Sequence, residues 1–87
     1  MPEISRFFGM VITMYFKDYA PPHFHVRYGE QKALIDIQTG GIIEGELNKT
    51  ALKLIKEWTN LHRSELLSNF EEAQKRDPQL QKIEPLQ

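Results

Sequence analysis

The chain has no cysteine. That removes disulfides, thiolate nucleophiles and cysteine-based zinc sites together. It also points to a cytoplasmic address, because a secreted domain of this size usually needs disulfide staples. No apolar run approaches the roughly 18 residues of a membrane span. The opening stretch "MPEISRFFGMVITMYF" carries an acidic Glu3 and no small-residue cleavage site, so it reads as part of the fold and not as a signal peptide. The motifs that cradle phosphates or build hydrolase and protease sites are missing as well: there is no Gly-x-Gly-x-x-Gly, P-loop, His-Glu-x-x-His or Gly-x-Ser-x-Gly. Gly40-Gly41 is a hairpin turn with no helix behind it. No cofactor is expected.

Charge of one sign is also lacking. Eleven Lys and Arg stand against 12 Asp and Glu, for a formal net charge of −1. The first 46 residues hold four basic side chains (Arg6, Lys17, Arg27, Lys32) and six acidic ones, and the rest hold seven and six. Nucleic-acid affinity rests on neutralising phosphates, so nucleic acid is not the partner this balance favours, outside a local patch.

What is present suits one small α+β domain over residues 1–87, with 40% apolar and 26% charged side chains. Residues 4–17 have the β-branched and aromatic content of a strand, with Phe8, Met10, Ile12, Met14 and Phe16 on one face. Pro21 and Pro22 stop it. Residues 23–28 form a second strand, with Phe24, Val26 and Tyr28 on one face and His23, His25 and Arg27 on the other. Strands over about 32–38 and 42–46 follow. A two-residue turn at Gly29-Glu30 or Glu30-Gln31 keeps the apolar faces together and sets Asp36 opposite His23 or His25.

From Asn48, a good N-cap, the period becomes 3.6. Ala51, Leu54, Ile55, Trp58, His62 and Leu66 share an arc, which predicts an amphipathic helix over about 49–76, ended by Asp77-Pro78. At about 1.5 Å per residue such a helix is about 42 Å long, and it overhangs strands of roughly 20 Å. The tail is either a last extended segment or loose. The expected architecture is a three- to four-stranded antiparallel β-meander packed on one long C-terminal helix.

Two of the three histidines fall in "APPHFHVRY". On a strand, i and i+2 point the same way, about 6.5–7 Å apart. With Asp36 across from them, His23 and His25 could ligate a divalent metal or work as acid and base, or they could simply decorate an exposed face. His62 lies on the buried arc of the helix and needs a hydrogen-bond partner; parity keeps it away from the other two, unless the three meet at an edge or interface. His23, His25 and His62 are therefore the candidates for acid–base chemistry. Arg6 and Arg27 suit anions. Tyr15, His23, His25, Arg27 and Asp36 make a polar, partly aromatic contact face.

The stretches "MPEISRFFGMVITMYFKDYAPPHFHVRYG", "ALIDIQTGGIIEGEL" and "LKLIKEWTNLHRSELLSNFEEA" resemble the small prokaryotic DUF4160 proteins, from Pro2 to about Pro85. The most specific parts are "ISRFFG", "APPHFH" and "WTNLHRSELLSN". The motif of that family maps onto Pro21, Pro22, His23, His25, Trp58, His62 and Glu65. The resemblance implies no established activity. It implies a companion, since such proteins are encoded beside DUF2442 proteins in two-gene operons of toxin–antitoxin type. Three functions follow as expectations: an interaction protein that binds a neighbouring gene product or forms a homodimer; a small RNA-cleaving toxin using histidine chemistry with Arg27 on the phosphate; or a metal-binding domain built on the His-x-His strand.

Overall fold

The computed structural model describes residues 2–87. Five strands run in the order β1 (Glu3–Phe7), β2 (Met10–Thr13), β3 (His23–Tyr28), β4 (Gln31–Asp36) and β5 (Ile42–Gly45). They pair antiparallel, each with its sequence neighbour. Two helices follow, α1 (Lys49–Leu61) and α2 (Arg63–Ala73). The α+β class and the antiparallel meander are as expected, but there are five strands and two helices where three or four strands and one helix were foreseen.

The first difference lies at "RFFGM". The strand expected over 4–17 is a hairpin, with Phe7 paired to Met10 across Phe8-Gly9. Both turn residues have positive φ, +49° at Phe8 and +79° at Gly9. That is the geometry of the type I′ turn, whose twist matches its strands. Phe8 occupies a place usually taken by Asn or Gly, so the turn carries no compositional signal. Phe8 and Phe16, expected on the buried row, are exposed, whereas Met10, Ile12 and Met14 are buried.

The second difference is the break at His62. Asn48 does cap α1, its side chain accepting from the Ala51 N–H at 2.8 Å. The helix stops at His62, where φ is −121° and ψ 24°, and the chain restarts in α2. The His62 ring packs against Trp58, with centroids 5.7 Å apart, while its Nδ1 donates to Glu65 Oε1 at 2.6 Å. Arg63 Nε donates to the Ile37 carbonyl at 2.8 Å, which ties the junction to the end of β4. The bend keeps α2 over the domain, and the overhang of a straight helix does not arise.

One face of the sheet is covered. Phe24, Val26, Ala33, Ile35 and Ile37 are buried in a core with Ala51, Ile55, Trp58 and Leu66 from the helices. The short tail, which the sequence leaves as either extended or loose, is docked. Ile83 and Leu86 are buried. The Ile83 N–H donates to the Ile4 carbonyl at 2.8 Å, and Trp58 Nε1 donates to the Glu84 carbonyl at 2.8 Å. Asn69 holds the Gln81 backbone both ways, giving Nδ2–H to its carbonyl and taking its N–H at Oδ1. The tail thus follows β1, one of the two edges of the sheet. No helix is long and apolar enough to cross a membrane among the described residues.

Candidate functional site

Strand β3 builds the site. Its pairing with β4 sets His23 opposite Asp36, His25 opposite Leu34 and Arg27 opposite Lys32, with Gly29-Glu30 as the turn. Alternation sends Phe24 and Val26 into the core and His25 and Arg27 to the other face, which carries no helix. There the sheet forms an open groove of about 420 Å³, bordered by the cations Arg6, Arg27 and Lys32, the carboxylates Glu3 and Glu44, and Tyr15, His25 and Leu34 among others.

His23 departs from that plan. It is only 5% exposed. The loop "KDYAPP" folds back over it, and Phe70 of α2 lies on its other side with ring centroids 5.7 Å apart. The Lys17 N–H donates to the Ala73 carbonyl at 2.9 Å, which fastens the loop to the end of α2. His23 Nδ1 donates to the Pro21 carbonyl at 2.7 Å. A carbonyl only accepts, so that contact fixes the hydrogen on Nδ1 and points Nε2 at the loop.

What Nε2 meets is Asp18. Oδ2 of Asp18 lies 2.9 Å from His23 Nε2 and 3.1 Å from His25 Nε2. Its Oδ1 accepts the Tyr19 N–H at 2.9 Å. Burial raises the carboxyl's pKa, but hydrogen bonds from His25, the Tyr19 N–H and His23 outweigh it, and Asp18 ends below its ordinary value. The His25 ring lies against Tyr15, with centroids 4.0 Å apart. Asp18, His23 and His25 form a group of potential ligand atoms all within 4.8 Å of one another.

Asp36, assigned to the histidines from strand register, does sit opposite His23, but its carboxylate is used elsewhere. Oδ1 accepts the N–H of Gln38 at 2.7 Å and of Thr39 at 3.3 Å, closing the turn into β5. A backbone register places a Cα; an aspartate at a strand end prefers the N–H groups just beyond it. Asp18, not Asp36, is the carboxylate beside the two histidines. Its signal was available: an acid five residues before His23, on the far side of a double proline that turns the chain back. His62 stays with Trp58 and Glu65 and does not join the cluster. Of the expected contact face, Tyr15, His25 and Arg27 line the groove, His23 is tucked inward and Asp36 serves its turn.

Residues 9–71 match the family model described as a domain of unknown function, DUF4160. The chain belongs to this family. The matched span runs from the Phe8-Gly9 turn through β5 and most of α2, so every member of the Asp18–His23–His25 cluster lies within the DUF4160 domain. No curated protein and no solved structure matches the chain.

Proposed function

We propose that this DUF4160 protein is a small interaction protein that grips an acidic segment of a partner protein in the groove on the bare face of its sheet. The observation that carries the reading is a pair of cations. Arg27 and Lys32 are direct cross-strand neighbours, and neither takes part in an ion pair among the described residues. Like charges set opposite each other on a sheet destabilise it, and a partner carboxylate relieves that cost. Tyr15 and Leu34 give the same groove an aromatic and an apolar contact. The family supplies a natural occupant in the DUF2442-type product of a neighbouring gene, in a cytoplasmic two-gene module of toxin–antitoxin type.

The test is to mix the purified protein with that product. A 1:1 complex in size exclusion, weakened by salt as exposed charges require, is expected. Arg27→Glu and Lys32→Glu should each lower affinity at least about tenfold, since setting like charges against each other across the contact costs more than about 1.4 kcal/mol. A protein that ignores the product, or charge-reversed variants that bind like wild type, ends the proposal.

A second reading, RNA cleavage, has one supporting feature: His25 and Arg27 stand on the same face of β3, so an acid–base group and an anion holder border one groove. Growth inhibition that is lost in both His25→Ala and Arg27→Ala, with RNA cut in vitro by the wild type, would favour it over the first. Overexpression with no effect on growth would dismiss it.

A further inference from the structure

We propose that Asp18, His23 and His25 form a binding site for a divalent first-row transition cation of the zinc, cobalt or nickel type, placed where the loop before β3 closes one end of the groove. This is independent of what the groove holds. The ligand set has two imidazole nitrogens and one carboxylate oxygen, which suits borderline metals and not magnesium or calcium.

Both nitrogen–oxygen separations are close to those of coordinating atoms. Ligands at about 2.0–2.2 Å around a tetrahedral ion stand about 3.4 Å apart. Here the two imidazole nitrogens lie 2.9 and 3.1 Å from Asp18 Oδ2, and no pair exceeds 4.8 Å. A cation set between them takes the place of the direct contacts between the ring nitrogens and Oδ2, and each nitrogen–oxygen gap opens by only a few tenths of an ångström.

The surroundings hold each ligand in place. The Pro21 carbonyl takes the Nδ1 hydrogen of His23, so Nε2 is the ligating atom, as at metal-bound histidines generally. Phe70 walls that ring on one side. Tyr15 lies against the His25 ring, and the Tyr19 N–H fixes the second oxygen of Asp18. Exposure is graded: His23 is 5% exposed, while Asp18 and His25 are 19% and 20%. An ion therefore has an entry path past His25, and three protein ligands leave at least one position for water or a groove occupant.

The experiment uses the full chain without a histidine tag, stripped by chelator and titrated calorimetrically with Zn²⁺, Co²⁺, Ni²⁺ and Mg²⁺ salts alone. One equivalent of each transition ion should bind, Mg²⁺ should not, and Co²⁺ should give the visible band of a nitrogen- and oxygen-ligated site. His25→Ala removes a partly exposed ligand and should weaken Zn²⁺ at least about tenfold; Asp18→Asn, which keeps the shape of the side chain, should do the same. Asp36→Asn should bind as wild type does. Circular dichroism confirms that each variant is folded. Absence of a transition-metal heat, binding unchanged in both His25→Ala and Asp18→Asn, or equal loss in Asp36→Asn overturns the proposal and leaves a hydrogen-bond cluster only.

Discussion

Removing the Asp18 carboxylate separates the two histidines that it serves. In Asp18→Ala, His23 loses the partner of its Nε2 while its ring stays between the loop and Phe70, only 5% exposed. A buried polar atom left unpaired costs about 1–3 kcal/mol. His25 loses the same acceptor, but its side chain is 20% exposed, and water replaces the bond at little cost. The Tyr19 N–H is likewise exposed to water. The expected loss is thus about 1–3 kcal/mol, nearly all of it through His23. For a domain of this size each 1 kcal/mol lowers Tm by about 4–8 °C, so Tm should drop by about 4–24 °C.

The assay is thermal and urea unfolding in the presence of chelator, with a double-mutant cycle. Asp18 and His23 should couple by about 1 kcal/mol or more, whereas Asp18 and His25 should couple by only a few tenths. His25→Ala alone should leave Tm within a few degrees of wild type. If Asp18→Ala is as stable as wild type, or if His25→Ala costs as much as Asp18→Ala, then the graded burial of the cluster does not govern its energetics and the reasoning fails.

Three further outcomes follow from other parts of the molecule. Gly45 has φ +85°, and a Cβ there would stand 2.2 Å from the Lys32 carbonyl oxygen, a backbone atom that cannot move aside. Gly45→Ala should cost at least about 2 kcal/mol and speed hydrogen exchange at Glu46, whose N–H bonds to that carbonyl; wild-type protection at Glu46 would contradict it. Asn69→Ala removes both clamps on Gln81 and should cost about 1–3 kcal/mol, with faster proteolysis beyond Pro78; an unchanged cleavage rate would mean that the tail is held without it. The hydrogen bond from Arg6 holds the Glu3 carboxyl below the usual carboxylate value. A depressed folded value stabilises above the unfolded pKa, and that contribution is lost as pH falls through the folded one. An NMR titration should place the Glu3 midpoint below 4.5 and move it up in Arg6→Ala, with little change in stability because the pair is exposed; a midpoint that ignores Arg6 would refute the assignment.

The sequence was most legible where one physical signal had one meaning. The strand at 23–28 lies where alternation and the double proline put it, and hairpin parity put Asp36 opposite His23 or His25, of which the structure has His23. Asn48 caps the helix that it was expected to start. Legibility failed where a signal of period survives a change of structure. Alternation continues across the Phe8-Gly9 turn, because a two-residue hairpin preserves parity, so a hairpin and a long strand look alike. The helical period likewise survives His62: the apolar arc that includes Trp58 and Leu66 is buried on both sides of the break, and nothing in the spacing marks a break made by the tertiary bond from Arg63 to Ile37 and the local bond between His62 and Glu65.

The cluster is half legible for the same reason. Period places side chains on faces, and it paired His23 with His25 correctly. It says nothing of a loop that leaves the sheet and comes back. Asp18 belongs to such a loop, so its approach is fixed by contacts distant in sequence: the Lys17 N–H on Ala73, and Lys17 Nζ on the Lys75 carbonyl at 3.1 Å. The end of α2 therefore holds the carboxylate against the histidines. It is also the bend at His62 that keeps this end over the domain; a straight helix of about 28 residues would carry it some 40 Å from its start. His62, which never touches the cluster, thus bears on its geometry. Weakening the bend, for instance by Arg63→Ala with the loss of its bond to the Ile37 carbonyl, should loosen the loop at Asp18 before it melts the sheet.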